Sequence, residues 1–393
     1  MRPYFYFFAA AFVATACQPE PTELHYDLRD LNAKTATLRL SRLDLNGFPM
    51  QILDYPNIRN LSFSQSNIKQ LPEDIGRLRN LVQFAITRDA IESLPESIGD
   101  MHKLEMLYIN ECPLKSLPNS IGKLPLRTLE LRNTHISDLG EEICNIKSLY
   151  GLYFNGFYDK SITCYLRQLP KNFSKLTNLS NLDLNNTLLT ELPQDFHKLS
   201  NLSHFSLKKN DISQLPDSFA SLPQLFTLNI MDSKITQLPA NFGKLAELAN
   251  LDLSNNLLTS LPASIGDLAK LETIELSEKG ITQLPDEIGK LNKLRDIRIT
   301  HCSISTVPSS VAGWRSCSSL YLNDNQISSL PDELAQIKNL TKIDLSNNLL
   351  TSVPACLFKI YFSSVKIILT GNKIPETEIQ KLKDALPDAE IIF

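Results

Sequence analysis

Prolines that follow Leu or Val recur at a fixed interval along this sequence, and the interval constrains the fold more than any other feature. From Pro170 to Pro354 nine of these prolines form an unbroken series, each 23 residues after the one before. Three more, at positions 72, 95 and 118, keep the same spacing. A fixed period of this length is typical of repeat proteins, in which each unit buries its apolar face only against its neighbours. We therefore expect one elongated solenoid rather than several globular domains.

One unit, residues 238–260 with the sequence LPANFGKLAELANLDLSNNLLTS, shows the local design. Leu251 and Leu253 alternate with Asp252, so the leucines of this short strand point inward and the aspartate points outward. The Leu-Pro step turns the chain away, and the apolar residues after it suit a short helical turn on the opposite face. An inward Asn256, at the end of the strand, would satisfy backbone groups that the turn leaves unpaired. Other units hold the same place with Cys112, Thr134, Thr187, Asn210, Cys302, Asn325, Asn348 and Asn372.

The second half of this unit, L-x-x-L-x-L-x-x-N-x-L, is the leucine-rich-repeat signature, and the resemblance covers about residues 53–375. The first half, LP-x-x-[IF]-G-x-L, is similar to the subclass found in Ras-group leucine-rich-repeat proteins and in many bacterial ones. The resemblance implies an α/β solenoid, a horseshoe with one curved parallel β-sheet on the concave face and short helical turns on the convex face. It also implies a non-enzymatic module that mediates protein–protein interaction through the concave face.

The N-terminal end of the array departs from the template, as terminal repeats that cap a solenoid do. Residues 23–52 predict a cap and an irregular first repeat, and the leucine spacing predicts a helix over residues 23–32. Between Ile58 and Thr370 the sequence holds 14 strand motifs.

The C-terminal end, residues 376–393, predicts a second cap. A capping box that starts at Thr377 precedes a helix with one apolar face, and Pro387 ends it. Residues 389–393 predict a last strand that closes the array. With a cap at each end, we expect a complete chain without an appended catalytic domain.

The first sixteen residues predict export. A positive start at Arg2, an apolar run and small residues before Cys17 have the layout of a secretory signal peptide over residues 1–16. The segment resembles the lipobox of bacterial lipoproteins, although Ala14 stands where family members usually carry Leu. The resemblance implies that Cys17 is lipidated and that residues 17–22 form a tether.

We therefore expect a lipoprotein of the bacterial outer membrane or cell surface, attached to the membrane only through its lipid. Two alternatives stay open. Cleavage after Ala16 would give a soluble secreted protein, and a leader misread as a signal would leave an intracellular signalling scaffold similar to the Ras-group proteins.

Charge and motifs exclude several classes of function. Charge is nearly balanced, with 39 Lys and Arg against 43 Asp and Glu, which argues against a nucleic-acid partner. No HExxH, CxxC or phosphate-binding Gly loop occurs, so we expect no metal and no cofactor. On the predicted sheet His204 and Ser206 neighbour Asp183, but the diagonal offset of about 8 Å exceeds what a catalytic triad needs. We expect no enzyme.

Outward residues at the central strand position form the candidate binding face. They are Tyr108, Glu130, Tyr153, Asp183, Ser206, Asn229, Asp252, Glu275, Arg298, Tyr321 and Asp344. Five of them are acidic and one is basic, a stripe that favours a basic partner surface. The alternative is that these charges only keep an exposed sheet soluble.

One unit, residues 139–168, is 30 residues long, and seven of them are inserted just after its strand. The inserted aromatics Phe157 and Tyr158 are candidate ligand contacts, or else fold back over the edge of the solenoid. Cys144 and Cys164 bracket this unit and form a candidate disulfide, although their spacing does not decide whether they pair.

The partner that these features favour is a protein, bound by a monomer. The candidate protein-binding residues are Tyr108, Glu130, Tyr153, Phe157, Tyr158, Asp183, Asp252, Glu275, Arg298 and Tyr321. A carbohydrate or peptidoglycan ligand at the cell envelope stays open as an alternative.

Overall fold

The computed structural model describes residues 24–25, 27–156, 166–360 and 364–393, which form one parallel β-sheet. In the described ranges seventeen strands follow one another in chain order, and each pairs in parallel with the next. Strands β1 to β17 are Leu24–His25, Thr37–Ser41, Asn60–Ser64, Gln83–Thr87, Met106–Asn110, Thr128–Glu130, Gly151–Tyr153, Asn181–Asp183, His204–Ser206, Thr227–Asn229, Asn250–Asp252, Thr273–Leu276, Asp296–Ile299, Ser319–Tyr321, Lys342–Asp344, Lys366–Ile368 and Glu390–Ile392.

The register of the sheet follows the repeat. Leu251 of β11 lies opposite Ile274 of β12, and Asp252 lies opposite Glu275. Both apolar side chains are buried in a core that runs along the array, and burying one contributes about 1.5–3 kcal/mol. The 14 strands predicted from Ile58 to Thr370 are β3 to β16, so this prediction is confirmed.

Short helices return the chain along the opposite face. Fifteen 3₁₀ helices and one α-helix, α1 (Glu376–Ala385), lie in the described part of the chain, and none is long and apolar enough to cross a membrane. The 3₁₀ helices are Leu28–Asp30, Met50–Asp54, Ile75–Arg77, Glu96–Asp100, Asn119–Lys123, Glu141–Asn145, Phe173–Lys175, Phe196–Lys198, Asp217–Ser221, Phe242–Lys244, Ala263–Asp267, Asp286–Lys290, Ser309–Gly313, Asp332–Gln336 and Ala355–Lys359. The predicted α/β solenoid, with its sheet on one face and helical turns on the other, is confirmed.

The Leu-Pro step positions each 3₁₀ helix. Pro262, for example, precedes the helix Ala263–Asp267 with φ −68° and ψ 148°, an extended conformation that proline's fixed φ permits. Gly140 replaces the proline of the long unit and has φ +71°. A proline ring cannot adopt a positive φ, so the missing proline follows from the backbone at this step.

Inward polar side chains form a ladder along the turns that follow the strands. Asn210 donates from Nδ2 to the carbonyl oxygens of Leu184 and Leu207 (2.8 and 3.0 Å), and its Oδ1 accepts from the Leu189 N–H at 2.9 Å. Asn256, Asn325, Asn348 and Asn372 repeat this pattern. The predicted role of these asparagines is confirmed.

Two rungs of the ladder differ from the amide pattern. Thr134 is buried, but its hydroxyl has no hydrogen-bond partner in the described residues. Thr134 therefore does not satisfy backbone groups of its turn as the asparagines do. Between Asn256 and Cys302 the rung is Glu278, one residue earlier than the period of 23 places it. Its carboxylate is 2% exposed and accepts the Asn256 N–H, while its own N–H donates to Sγ of Cys302 at 3.3 Å.

The two ends of the array correct two predictions. The described part of residues 23–32 is the two-residue strand β1 and one 3₁₀ turn, so the predicted helix is wrong. The reason is that β1 pairs with β2, which an extended chain can do and a helix cannot. At the other end α1 and β17 confirm the predicted helix and strand, but α1 begins after Pro375 and Thr377 lies inside it without a capping bond.

Candidate binding face

Four of the predicted site residues lie side by side on neighbouring strands. The register places Tyr108 of β5 opposite Glu130 of β6, Glu130 opposite Tyr153 of β7, and Tyr153 opposite Asp183 of β8. All four are partly exposed on the outer face of the sheet. We call these four residues the central cluster.

Glu130 is held by two neighbours. Its carboxylate accepts a hydrogen bond from Nδ2 of Asn110 at 2.8 Å and lies 3.4 Å from Nε of Arg132. The Glu130 and Arg132 side chains keep 17% and 29% of their surface exposed, which limits screening of the pair by water. The charge of Glu130 is therefore largely neutralised inside the central cluster.

The ring of Tyr153 lies back over its own strand. A Cβ placed on Gly151 would meet Cε2 of Tyr153 at 2.8 Å, so the ring takes the space that any other residue at position 151 would fill. The guanidinium carbon of Arg132 lies 5.7 Å from the ring centroid, within cation–π range. Burial, together with the nearby charge of Glu130, raises the pKa of the Tyr153 phenol to about 12. The phenol is therefore neutral and able to donate a hydrogen bond.

Asp183 is enclosed by amide groups although it keeps some exposed surface. It accepts from Nδ2 of Asn155 and from the N–H of Asn185, both at 3.2 Å. Desolvation raises the pKa of its carboxyl to about 6, and the Asn155 hydrogen bond and the charge of Arg132 lower it less strongly. The Asp183 carboxyl, in the middle of the candidate binding face, is thus harder to ionise than a solvent-exposed aspartate.

Farther along the sheet the predicted residues are also paired. Asp252 is only 5% exposed and accepts from Nδ2 of Asn229 at 3.2 Å, so it offers little surface to a ligand. Glu275 lies 3.4 Å from Nε of Arg298, and the guanidinium carbon of Arg298 lies 4.2 Å from the ring centroid of Tyr321. Of the five acids in the stripe predicted from the sequence, Glu130 and Glu275 are each paired with an arginine, whereas Asp183 and Asp252 are hydrogen-bonded by uncharged amides.

The register continues the central column upstream of the predicted residues. Arg39 of β2 lies opposite Ser62 of β3, Ser62 opposite Ala85 of β4, and Ala85 opposite Tyr108. The sequence analysis missed these positions because the first units looked irregular. Counting back from Tyr108 in steps of 23 residues would have found them, since 85, 62 and 39 keep the period.

The residues considered for a catalytic triad do not form one. Ser206 lies opposite Asp183, and His204 lies opposite Asn181, two residues away along the strand. The Ser206 hydroxyl donates to Oδ1 of Asn185 at 2.8 Å rather than to an imidazole. In the described ranges no group of three or more His, Cys, Asp and Glu side chains is placed to hold a metal ion.

Cys112 and Cys302, which hold the inward turn position in their units, are buried, and Cys317 is buried as well. Burial raises the pKa of the Cys112 and Cys302 thiols to about 11 and that of Cys317 to about 12. Cys144 is also buried, but Cys164 lies outside the described residues, so their disulfide stays a prediction. Phe157, Tyr158 and the leader with Cys17 lie outside the described residues as well.

Family models match three stretches of the chain. Residues 170–255 match a leucine-rich repeat region, residues 246–304 a leucine rich repeat, and residues 315–357 leucine rich repeats in two copies. Among curated proteins, none matches this sequence.

Solved structures with a similar fold include bacterial and plant proteins. A leucine-rich-repeat protein of Leptospira interrogans is 26% identical, with a TM-score of 0.77 over 92% of this chain and 84% of that one. A plant peptide hormone receptor, RGFR1 in complex with RGF2, is 25% identical, with a TM-score of 0.69 over 87% of this chain. This chain spans 56% of that receptor's length. The functional domain of InlJ from Listeria monocytogenes, 21% identical, with a TM-score of 0.66 over 83% of this chain and 66% of that one, shares the fold.

Proposed function

We propose that this chain, a leucine-rich-repeat protein, binds a protein ligand on the concave face of its sheet. The leucine-rich-repeat fold is typical of protein-binding modules without catalytic activity. The single observation that carries the proposal is the central cluster, in which two tyrosines alternate with two carboxyl groups on four adjacent strands. Partly exposed tyrosines with a fixed geometry are the side chains that dominate binding energy at protein interfaces.

Rigidity supports the same proposal. Each member of the central cluster sits on a strand paired on both sides, and the ring of Tyr153 is fixed between Gly151 and Arg132. Side chains that are already ordered lose little conformational entropy on binding, so the contacts they make contribute more fully to affinity. The plant peptide hormone receptor with a similar fold was solved in complex with RGF2, which supports a proteinaceous ligand here.

Affinity capture from an extract of the source cells tests the proposal, with the full chain as bait. We expect Tyr108→Ala and Tyr153→Ala together to reduce recovery of the ligand about tenfold or more, since residues that dominate an interface each contribute about 2 kcal/mol or more. Lys290→Ala, on the 3₁₀ helix Asp286–Lys290 of the opposite face, is the control and should leave recovery unchanged. Equal recovery with both variants would place the ligand elsewhere or refute the proposal. Saccharide hits on a glycan array would favour a carbohydrate ligand instead.

We also propose that the chain is exported and lipidated at Cys17, as its leader suggests. The support for this proposal is the sequence of residues 1–17 alone. Metabolic labelling with a palmitate analogue tests it, and the Cys17→Ala variant should take up no label. An unlabelled wild-type protein in the cytosol would favour the intracellular scaffold.

A further inference from the structure

Three arginines occupy the N-terminal end of the concave face, ahead of the central cluster. Arg39 lies on β2 at the central position, Arg42 follows the last residue of β2, and Arg59 directly precedes β3. We call these three residues the arginine patch, and we propose that it binds an acidic peptide segment of the protein ligand. This inference rests on the proposed function and adds a chemical class for part of the ligand.

The charges of the arginine patch are uncompensated. All three side chains are exposed, and in the part of the chain that the structure describes no carboxylate oxygen comes within 4 Å of their guanidinium groups. The nearest acid in sequence, Asp44, accepts instead from Nδ2 of Asn67 at 2.9 Å. By contrast Arg88, on the next unit but one, pairs with Glu111 at 2.7 Å. The arginine patch is thus a local excess of positive charge on a chain whose net charge is −4.

The surroundings of the arginine patch suit a peptide. Strands β2 to β4 contain no Asp or Glu, and their outward residues are small or neutral. Besides Arg39, the exposed or partly exposed outward residues are Ser41, Asn60, Ser62, Ser64, Gln83, Ala85 and Thr87. Their hydroxyl and amide groups can exchange hydrogen bonds with a peptide backbone, and none of them repels an incoming carboxylate.

The size of the arginine patch favours a short extended segment. The Arg59 N–H bonds to the carbonyl oxygen of Ala36 at 2.8 Å, so Arg59 and Arg42 lie about six residues apart along the strand direction, roughly 20 Å. An extended peptide of about six residues spans the same distance. A guanidinium group holds a carboxylate through two parallel hydrogen bonds, which a point charge cannot do. Three cations are too few for the phosphate contacts that give a nucleic acid its affinity.

Fluorescence anisotropy with a labelled, acidic Glu-Gly-Ser decapeptide tests the inference on the full chain. We expect binding that Arg39→Ala, Arg42→Ala and Arg59→Ala together weaken about tenfold or more, since each exposed pair contributes up to about 1 kcal/mol. The matched control removes the same charge from the other face, by Lys244→Ala, Lys290→Ala and Lys338→Ala, and should keep full affinity. Replacing the three arginines with lysine should restore only part of the binding.

Several outcomes would overturn the inference. One is equal peptide affinity of the triple Arg→Ala variant and the triple Lys→Ala control. Another is binding of the wild-type chain to vesicles of phosphatidylglycerol and phosphatidylcholine without binding to the peptide. The capture experiment separates this failure from that of the proposed function. If the arginine variant recovers the ligand as well as wild type while the Tyr108 and Tyr153 variant does not, the concave face binds protein and the arginine patch does not contribute. If neither variant loses the ligand, the proposed function fails.

Discussion

Charged side chains at the two ends of the stretch from β2 to β8 differ in whether they have partners within the protein. On strands β5 to β8 Glu130 is paired with Arg132 and the Asp183 carboxyl is enclosed by amides. Arg39 on β2 and Arg59 just before β3 have no carboxylate partner among the described residues, although the strands pair in the same register. A repeat scaffold therefore fixes only the spacing of side chains, and their chemistry decides whether a charge is used inside the protein or is left for a ligand.

The physical cause of this difference is distance. Adjacent strands lie about 4.8 Å apart, so a long side chain reaches the equivalent position of the next unit. Arg298 reaches Glu275 in this way, across one interval of 23 residues. Opposite Arg39 stands Ser62, which carries no charge, so the same geometry leaves the arginine unpaired.

The largest effect should come from a carboxyl that has no cationic partner in the described ranges of the chain. Burial raises the pKa of Glu278 from 4.5 to about 7. The folded state then holds a proton that the unfolded state has lost, so stability falls by about 3 kcal/mol as pH rises from about 4.5 to 7. Glu278→Gln keeps an oxygen acceptor and should remove most of this slope. Urea unfolding at pH 4.5 and pH 8 measures it, and an unchanged pH profile in the variant would contradict the burial argument.

A slightly smaller slope of the same sign should come from the central cluster. The pKa of Asp183 is raised from 3.8 to about 6, so its carboxyl costs the folded state about 3 kcal/mol above pH 6 and nothing below pH 4. Asp183→Asn should remove most of the pH dependence of the urea denaturation midpoint between pH 4 and pH 6. The matched control is Ser62→Ala beside Arg39 of the arginine patch, which removes no titrating group and should leave the profile unchanged. Parallel profiles for the two variants would show that the two regions do not differ.

Removing one charge from each region should separate them further. Glu130→Ala leaves Arg132 partly buried without its carboxylate, and we expect a loss of about 1–2 kcal/mol. Arg39→Ala removes an exposed, unpaired side chain and should change the free energy of unfolding by less than about 0.5 kcal/mol. Chemical denaturation of both variants at pH 7 decides the point, and similar losses would mean that Arg39 has a partner within the fold.

Packing gives the smallest predicted difference. Gly151→Ala places a methyl group against the Tyr153 ring and should cost about 1 kcal/mol because the ring must move. The equivalent Gln83→Ala, on β4, should be nearly neutral. Alkaline titration of tyrosine absorbance provides a second measurement, since a displaced Tyr153 should lose part of the burial that raises its pKa to about 12. An unchanged titration would show that the ring is not held by Gly151.

Much of this architecture could be predicted because it depends on local patterns. The interval between prolines predicts the solenoid, and the inward Asn210 and Asn348 predict the ladder that satisfies the turns. The sequence could not predict Glu278, because this carboxyl stands one residue off the period and only the folded backbone brings it inward against the Asn256 N–H. It also placed Asp252 among the outward residues without showing that Asn229 and its neighbours bury it.

The helix expected over residues 23–32 failed for a related reason. Leu24, Leu28 and Leu31 have helical spacing, but pairing of β1 with β2 satisfies backbone groups along the edge of the sheet. The strand pairing outweighs the local helix propensity there, and the spacing of the leucines does not indicate that pairing.

The sequence alone determined that this protein folds into a stacked array of repeats, since leucines at a fixed period can be buried only against the neighbouring units. Which charges cancel was decided by the tertiary structure. Side chains 23 residues apart meet only after the strands pair, and their interaction depends on a few ångströms of reach that no spacing in the chain records. That is why Glu130 is neutralised within the fold and Arg39 faces solvent.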